Sequence, residues 1–218
     1  MITLAVILAR KDSKRLKNKN RLKINGTSLV ERAIKFAASL TFIDKIIFST
    51  NDNYFLKKNK NSRLITINRP KKLSHSNSRS EDAILHAVER TQKKLNFKNI
   101  MILLLQPTSP FRSKKIITKM YNKIKSRKNT SLISVSPLQN KKKIFYSIQK
   151  GILLKSTNKN KEKNFFPNGN FYFAKYTFLK KNRSFYCKNK TLPYIITNKK
   201  LKIDIDTKKD FNLAKRYS

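Results

Sequence analysis

Residues 1–8, Met-Ile-Thr-Leu-Ala-Val-Ile-Leu, decide the fold of this chain. The run is apolar almost throughout, which is the pattern of a β-strand covered on both faces by other elements. It has no basic leader and no cleavage site of small residues. We therefore expect a buried first strand and not a signal peptide.

Downstream of this strand, strand-like and helix-like patterns alternate. The predicted strands are residues 44–50, 101–105 and 131–135. The predicted helices are residues 28–40, a segment that opens near Ser78, and residues 114–127. The second of these helices has a capping-box pattern at its start, formed by Ser78 and Glu81. Such alternation predicts an α/β fold, a doubly wound and mostly parallel sheet with helices on both faces.

The pattern changes between residues 137 and 166. Short β-like pieces at 144–148 and 152–154 are separated there by lysine-rich turns. We interpret this segment as an inserted hairpin arm within a single domain of residues 1–218.

Ligands of doubly wound sheets bind beyond the carboxyl ends of the strands, so the segments after Leu8, Thr50 and Leu105 should gather at one edge.

The chain is strongly basic, with 52 Lys and Arg against 11 Asp and Glu and a net charge of +41. Such a charge attracts polyanions, and a polyanion-binding protein is the distant alternative function. The basic residues are spread over the whole length, however, and the sequence has no nucleic-acid-binding motif. We therefore predict no specific nucleic-acid partner.

No apolar run is long enough for a membrane span, and the single Cys187 fits a reducing cytoplasm.

Two carboxylates stand two residues apart in residues 201–207, Leu-Lys-Ile-Asp-Ile-Asp-Thr. The alternation of Asp204 and Asp206 with isoleucines is strand-like and places both carboxylates on one face. Neighbouring carboxylates repel one another unless a cation sits between them, and oxygen ligands suit magnesium. The alternative is a solvated strand end before a helix whose N-cap is Thr207.

The first loop, residues 9–20, follows the first strand directly and carries a dense cluster of basic side chains. Cations beside main-chain amides suit a triphosphate, whose charge must be neutralised as it reacts. The loop contains no glycine, so it is not a Walker loop. The alternative is a solvated basic loop.

A second loop lies in residues 103–112, Leu-Leu-Leu-Gln-Pro-Thr-Ser-Pro-Phe-Arg. Its two prolines restrict the backbone just past a central strand, which makes Gln106 a fixed amide able to bind a base or a sugar. The alternative is an ordinary strand-to-helix turn in which Ser109 or Ser113 caps the helix.

A third candidate is Asn168-Gly169, within residues 166–174. The dipeptide is a hairpin-turn signal by itself. In a binding role it would present an amide side chain and a bare backbone to a ligand.

In this order, the motifs resemble those of the acylneuraminate cytidylyltransferase family, the CMP-sialic acid synthetases. The family pattern is an Ala-Arg-x-x-Ser-Lys-x-x-x-x-Lys-Asn loop, then Arg-Pro, Leu-Gln-Pro-Thr-Ser-Pro-x-Arg, Asn-Gly and Asp-Ile-Asp-Thr. The matching positions are Arg10, Ser13, Lys14, Lys19, Asn20, Arg69-Pro70, Gln106 to Arg112, Asn168-Gly169 and Asp204 to Thr207. The likeness covers essentially the whole chain in one collinear order.

The resemblance implies a fold like that of nucleotide-diphospho-sugar transferases, with a small β-rich dimerisation insertion. It implies a magnesium-dependent enzyme that couples CTP to a nonulosonic (sialic-type) acid and releases pyrophosphate. The near alternative is another acidic sugar, such as pseudaminic, legionaminic or 3-deoxy-octulosonic acid. A homodimer is also implied, with residues 137–166 as its exchanged arm.

The resemblance also assigns roles to individual residues. The nucleotide group is Arg10, Ser13, Lys19, Asn20, Arg69 and Ser80. The sugar group is Gln106 and Asn168, and the magnesium ligands are Asp204 and Asp206. The catalytic residues are Arg10, Lys19 and Asp206.

The chain departs from the family pattern at several positions. Leu8 replaces a proline, Asp12 replaces a glycine, and Lys17-Asn18 stands where Pro-Gly is frequent. Aspartate tolerates the left-handed backbone, so Asp12 is compatible with the loop, although it adds a negative charge near the triphosphate. Phe166 replaces the basic residue that usually precedes Pro-Asn-Gly, so a cation expected for the sugar carboxylate is missing there.

Overall fold

In the computed structural model of the chain, residues 1–13, 15–56, 62–95, 99–138, 145–156 and 164–218 are described. Strands and helices alternate along them as predicted. The strands are β1 (Ile2–Ala9), β2 (Lys23–Ile24), β3 (Thr27–Ser28), β4 (Lys45–Thr50), β5 (Leu64–Asn68), β6 (Ile100–Leu104), β7 (Ser131–Pro137), β8 (Phe145–Gln149), β9 (Ile152–Ser156), β10 (Phe165–Lys175) and β11 (Thr191–Ile195). The helices are α1 (Leu29–Ala38), α2 (Asn53–Leu56), α3 (Ser80–Leu95), α4 (Lys114–Ile124), α5 (Tyr176–Asn182) and α6 (Lys208–Arg216).

Nine strands of the described residues form one sheet, whose main path runs β11-β7-β10-β6-β1-β4-β5. β1 is parallel to β4 and β6, β4 is parallel to β5, and β11 is parallel to β7. β10 lies between β6 and β7 and is antiparallel to both. The prediction of a mostly parallel sheet is therefore confirmed, with one antiparallel strand near its centre.

The side chains of β1 alternate between two hydrophobic cores. Ala5 and Ile7 pack on the side of α1 and α4, whereas Leu4 and Val6 pack on the side of α3 and α5. All four side chains are completely buried. Both faces of the strand are covered, and the doubly wound architecture is confirmed.

Three helices begin at a hydroxyl residue that caps the free amides of the first turn. Ser28 and Glu31 form a complete capping box at the start of α1, and Thr207 and Asp210 form another at the start of α6. The Ser113 hydroxyl accepts a hydrogen bond from the amide of Ile116 at the start of α4. These caps fix where three of the helices begin, and Thr207 is the N-cap that the sequence predicts.

The start of α3 differs from its prediction. The helix begins at Ser80, two residues beyond Ser78. The Ser78 hydroxyl donates instead to the carbonyl oxygen of Lys72, 3.0 Å away. The predicted capping box is wrong because Ser78 belongs to the turn that precedes the helix.

Residues 137–166 contain a hairpin, as the sequence predicts. β8 and β9 pair in antiparallel register around Lys150 and Gly151, which have φ of 47° and 74°. Two positive φ values are typical of the tight turns that join hairpin strands. The hairpin is attached to the main sheet where Tyr146 pairs with Phe165. Residues 139–144 and 157–163, also part of the predicted arm, lie outside the described residues.

Candidate functional site

The carboxyl ends of β1, β5 and β6 open into one cleft of about 340 Å³. Eight of the predicted site residues line this cleft: Arg10, Lys19, Asn20, Arg69, Ser80, Gln106, Asp204 and Asp206. The loop after β4 reaches the same edge, because the amide of Lys11 donates to Asn51 Oδ1 at 2.8 Å. The predicted gathering of three loops at one edge is confirmed. Ser13 and Asn168 do not line the cleft, and Lys14 lies outside the described residues.

The first loop is held at both ends by polar contacts. The Arg10 guanidinium donates to the carbonyl oxygen of His75 at 2.8 Å, and the Asn20 side-chain amide donates to the carbonyl oxygen of Arg10 at 2.9 Å. Asn20 thus fixes the backbone that carries Arg10. The cationic side chains are placed at the cleft by these bonds and by the turn around His75.

Among the described residues of this loop, Asn18 is the one with a left-handed backbone, with φ of 53°. Asn18 occupies the place where the family pattern often has glycine, and asparagine is among the residues that adopt this conformation most readily. Asp12 is exposed and does not have a positive φ. Asp12 therefore does not have to adopt a left-handed backbone, and the turn depends on Asn18.

A short 3-10 turn, Lys19–Arg21, ends the loop and is anchored by an ion pair between a half-buried arginine and a buried aspartate. The Arg21 guanidinium donates through Nε and Nη2 to both carboxylate oxygens of Asp52, the Nε bond being 2.9 Å long. Burial alone would raise the pKa of Asp52, but the hydrogen bonds and charge of Arg21 hold it below its ordinary value. Sequence reasoning missed this pair because its members belong to different loops.

Asp206 joins the first loop to the end of the chain. Lys19 Nζ lies 2.9 Å from its Oδ1, and Arg15 Nη2 lies 2.9 Å from its Oδ2. Both carboxylate oxygens are therefore paired with cations of the first loop. Sequence reasoning missed Arg15, whose only signal was its position within the basic loop.

The segment that carries the two aspartates is extended but is not a β-strand. Ile203 and Ile205 are buried, while Asp204 and Asp206 reach the cleft, so the predicted alternation is present. The amide of Ile205 donates to the carbonyl oxygen of Thr108 at 2.8 Å. This single bond to the second loop replaces the ladder of a strand, and the prediction of a strand here is wrong.

Asn168 and Gly169 do not form a hairpin turn. They lie inside β10, where the pairing register with β7 shifts between Pro167 and Tyr172. Such a bulge bends a strand and changes the direction of its side chains. The turn prediction is wrong because β10 continues between two neighbouring strands on both sides of the dipeptide.

The amide of Asn168 is buried and is used to hold the bulge. Its Oδ1 accepts from the Ser134 hydroxyl at 2.6 Å, and its Nδ2 donates to the Ser136 hydroxyl at 2.9 Å. Only 2% of the residue is exposed. The contacts of Asn168 are therefore those of a residue that shapes the backbone next to the site.

Gly169 is the point at which three motifs meet. A Cβ atom at this position would lie 2.9 Å from Ser109 Oγ, 3.1 Å from Gln106 Oε1 and 3.6 Å from Asp204 Cγ. Its φ is +80°, a conformation that side chains other than glycine rarely adopt. A glycine is required here so that the second loop and the aspartate segment can approach β10.

Arg69 is a buried cation in the wall of the cleft. It follows β5, is 7% exposed, and donates through Nη2 to the carbonyl oxygen of Ser49 at 3.2 Å. Its Nε is buried without a hydrogen-bond partner. Burial and the nearby charge of Arg10 lower the pKa of Arg69 to about 10. Two neighbouring cations of this kind favour an anion in the cleft.

A second recess, of about 560 Å³, shares Asp204 and Asp206 with the cleft. We call it the aspartate recess; its lining also includes Arg15, Phe166, Asn168, Lys199 and Lys202. The two carboxylates therefore stand where two differently lined spaces join. The recess supplies three cations although position 166 is occupied by phenylalanine, and Asp210 is its third carboxylate.

The described residues contain no group of three or more His, Cys, Asp or Glu side chains that could hold a metal ion. Any metal in the cleft would have only the carboxylates of Asp204 and Asp206 as acidic ligands. Magnesium is commonly held by one or two carboxylates, with phosphate oxygens and water completing its shell. The donor set is consistent with that ion.

No helix within the described ranges is both long enough and apolar enough to cross a membrane.

Comparison with known proteins places this geometry in a family. The chain is 30% identical to a CMP-N,N'-diacetyllegionaminic acid synthase of Legionella pneumophila, over 99% of this chain and 96% of that protein. It is 27% identical to an N-acylneuraminate cytidylyltransferase of Escherichia coli, over 97% of this chain but 51% of that protein. The chain thus spans about half the length of the latter relative.

Solved structures support the same fold. A CMP:2-keto-3-deoxy-manno-octonic acid synthetase complexed with CTP superposes with a TM-score of 0.69 at 13% identity, covering 100% of this chain and 98% of that one. A 4-diphosphocytidyl-2C-methyl-D-erythritol synthase from Anaerococcus prevotii gives a TM-score of 0.67 at 14% identity, covering 99% and 95%. The sequence profile of the cytidylyltransferases matches residues 4–218. With the collinear motifs gathered around one cleft, this match shows that the chain belongs to the cytidylyltransferase family.

Proposed function

We propose that this chain transfers the cytidylyl group of CTP to a nonulosonic, sialic-type acid, giving a CMP-sugar and pyrophosphate. The observation that carries the proposal is the pair Asp204 and Asp206, which both the cleft and the aspartate recess share. Two reactants placed in these two spaces would meet at the carboxylates. The names of the Legionella and Escherichia relatives, which concern acidic nine-carbon sugars, agree with this arrangement.

The cleft suits the nucleotide because its wall is cationic. Arg10, Lys19 and Arg69 line it, and Arg69 is buried with an unpartnered Nε. A triphosphate would neutralise these charges and accept their hydrogen bonds. We assign Arg10 and Lys19 to the phosphates and to the pyrophosphate as it leaves. Arg69 and Ser80 are assigned to the remainder of the nucleotide.

The aspartate recess suits the sugar acid because its cations compensate for the missing base at position 166. Arg15, Lys199 and Lys202 line it together with Phe166. Three carboxylates, those of Asp204, Asp206 and Asp210, also line the recess, so a sugar carboxylate would be bound by individual cations and not by a net positive charge. Gln106 lies beside the shared carboxylates in the cleft. Pseudaminic, legionaminic and 3-deoxy-octulosonic acids carry the same carboxylate and remain alternative substrates.

The reaction requires positioning and charge stabilisation and no protein nucleophile. The anomeric hydroxyl attacks the α-phosphorus of CTP and forms a P–O bond, while the bond from that phosphorus to the β-bridging oxygen breaks. Pyrophosphate leaves with the electron pair, and the hydroxyl proton is released to solvent. Arg10 and Lys19 stabilise the charge that develops on the leaving group.

We propose magnesium as the cofactor, with Asp204 and Asp206 as the residues that would hold it. Bound there, it would polarise the phosphate and neutralise developing charge. The support is the pair of carboxylates at the junction of the two spaces. Lys19 and Arg15, which pair with Asp206, are the residues that would have to give way.

We also propose a homodimer in the cytoplasm, with the β8–β9 hairpin as part of the contact. The support for the dimer is the family resemblance, together with a hairpin attached at the margin of β10. Analytical ultracentrifugation tests it: a single species of one chain mass at micromolar concentration would contradict the dimer.

The decisive experiment measures pyrophosphate release with each of the four nucleoside triphosphates against a panel of sugar acids. We expect release with CTP and at least one acidic nonulosonic sugar, and none with neutral sugars. Thermal shifts should be larger with CTP than with ATP or UTP, because stabilisation follows ligand concentration over Kd. The proposal would be contradicted if none of the sugar acids supported pyrophosphate release, or if another nucleotide were preferred to CTP.

A further inference from the structure

A third recess, of about 430 Å³, shares no lining residue with the cleft or the aspartate recess. It lies between α1 and the end of the second loop. We call it the arginine pocket and define it by Arg32, Lys35, Phe36, Phe111, Arg112 and Lys200. None of the roles assigned above uses these residues.

The arginine pocket is lined by four basic residues and, among the described residues, by no acidic one. The Arg112 guanidinium donates through Nη2 to the carbonyl oxygen of Gln106, and its Nε and Nη1 are buried without a partner. The Arg32 guanidinium donates through Nη1 to the carbonyl oxygen of Ile24 at 3.4 Å, and its Nε is likewise buried and unpartnered. In the described structure, both guanidinium groups thus donate to neutral carbonyl oxygens.

Buried cations without a counter-charge are costly, and proteins normally pair them. Burial lowers the pKa of Arg112 to about 9, with a further contribution from the neighbouring charge of Arg32. Burial also lowers the pKa of Arg32. The pKa of Arg112 stays above neutral pH, so this group keeps its charge. With four basic residues in its lining, the pocket carries a positive charge that an anion would offset.

Aromatic rings hold the cations of the arginine pocket close together. The Arg32 guanidinium lies 5.7 Å and the Lys200 ammonium 4.7 Å from the centre of the Phe111 ring. The Arg112 guanidinium lies 5.8 Å from the centre of the Phe36 ring. Cation–π contacts contribute modestly where water is near, and they supply no net negative charge. The rings therefore concentrate basic groups around one space without neutralising them.

We propose that the arginine pocket binds a small phosphate-bearing anion, at a site separate from that of CTP. Guanidinium groups bind phosphate through paired hydrogen bonds, and the pocket offers two of them with donors unsatisfied. Several cations around one space favour the doubly charged phosphate group over a single carboxylate. Free phosphate and a phosphate monoester share this chemistry. Because Arg112 also holds the carbonyl of Gln106, an anion here would act on the wall of the cleft.

Isothermal titration of the full-length chain with inorganic phosphate tests the site. The titration is done without CTP or metal, at ionic strength held constant with sodium chloride, and repeated with a sugar phosphate to separate free phosphate from an ester. We expect Arg32→Gln and Lys200→Gln each to raise the Kd for phosphate by about tenfold, the loss of one charge-assisted contact. Lys119→Gln, an exposed residue of α4 outside the pocket, should leave the Kd unchanged.

Arg10→Gln separates this site from the cleft, where phosphate could also bind. Phosphate affinity that survives Arg10→Gln and falls in the pocket variants supports the proposal. Affinity that falls in Arg10→Gln and survives in the pocket variants overturns it, as does the absence of measurable binding to the wild type. Because Lys200 is exposed, Lys200→Gln provides the test even if Arg32→Gln fails to fold.

Discussion

At the scale of single residues, Gly169 shows how closely the site is packed. A Cβ atom at this position of β10 would come close to Ser109, Gln106 and the Asp204 carboxylate at once. Three motifs that are more than thirty residues apart in sequence depend on one missing side chain. The spacing of the site therefore depends on the backbone of β10 as much as on the charged side chains.

Gly169→Ala should lower both stability and pyrophosphate release. The new methyl group would lie 2.9 Å from Ser109 Oγ at a φ of +80°. The backbone strain alone costs about 1–2 kcal/mol, and the displaced Gln106 and Asp204 should reduce turnover further. Urea unfolding and pyrophosphate release measure the two effects.

Gly151→Ala is the matched control for this substitution. Gly151 has a similar φ of +74°, and a Cβ there meets nothing within 4 Å. We expect it to lose stability through strain and to keep its turnover. Equal turnover in the two variants would show that the close approach at Gly169 has no functional importance.

Asp206→Asn should reduce turnover by about 100-fold or more while the protein stays folded, which is the scale of losing one charge-stabilising group. The substitution keeps the shape of the side chain but removes the charge that Lys19 and Arg15 share. Magnesium titration of pyrophosphate release should show a much weaker dependence. Asp82→Asn, which removes an aspartate paired with Arg183 on another surface, is the control. Near-normal release by Asp206→Asn would refute the metal role.

At the scale of elements, the ion pair between Arg21 and Asp52 anchors the end of the first loop. The Arg21 hydrogen bonds hold the pKa of Asp52 below its ordinary value of 3.8. A depressed carboxyl pKa contributes stability above the unfolded-state pKa and loses it as the pH falls through the folded-state pKa. The contribution is therefore complete at pH 7 and decreases below about pH 3.8.

Asp52→Asn tests this anchor through the pH dependence of unfolding. We expect the wild type to lose more unfolding free energy than the variant between pH 6 and pH 3, because only the wild type has this carboxylate to protonate. Urea unfolding at each pH provides the measurement. Parallel curves for the two proteins would show that the ion pair does not contribute.

Much of the fold followed from local patterns. The buried strands, the helices on both faces and the N-caps at Ser113 and Thr207 depend on neighbours close in sequence. Asn168-Gly169 was misjudged because its turn propensity is local, whereas its place in a bulge of β10 is set by the pairing of the flanking residues with distant strands. Local propensity yields to tertiary context when a strand is paired on both sides.

The candidate site likewise divides into residues that the sequence identified and contacts that it did not. Eight residues that line the cleft were named in advance, through the family resemblance that the motifs carry. Neither Arg15, which pairs with Asp206, nor the aspartate recess was identified from the sequence. Contact between residues 15 and 206 depends on the whole sheet being in place. The arginine pocket was missed for the same reason, because its basic residues come from three separate segments.

At the scale of the whole molecule, the net charge of +41 should be incidental to catalysis. The basic residues are distributed over the chain, so binding to DNA should be weak, non-specific and steeply dependent on salt. Catalysis depends on Arg10 and Lys19 in one geometry. The two properties should therefore separate on mutation.

Replacing Lys119, Lys123 and Lys128 together with glutamine tests this separation. All three are exposed, and none lines the cleft. We expect earlier elution from a DNA column in a salt gradient and CMP-sugar synthesis within about twofold of the wild type, as surface substitutions rarely disturb a distant site. Tight, sequence-selective DNA binding at physiological salt, with no CMP-sugar formed from any sugar acid, would favour a polyanion-binding protein.

The position of β10 in the sheet also bears on how the chain folds as it is synthesised. β6 and β7 are made early, but the strand that joins them is residues 165–175, so the nascent sheet stays in two parts for a long stretch of translation. An unpaired strand edge is a template for aggregation, and contacts between distant residues form slowly. The carboxylates at 204 and 206 emerge later still. The ribosome must therefore release the chain through residue 206 before the interior of the sheet is sealed and both carboxylates of the site are in place.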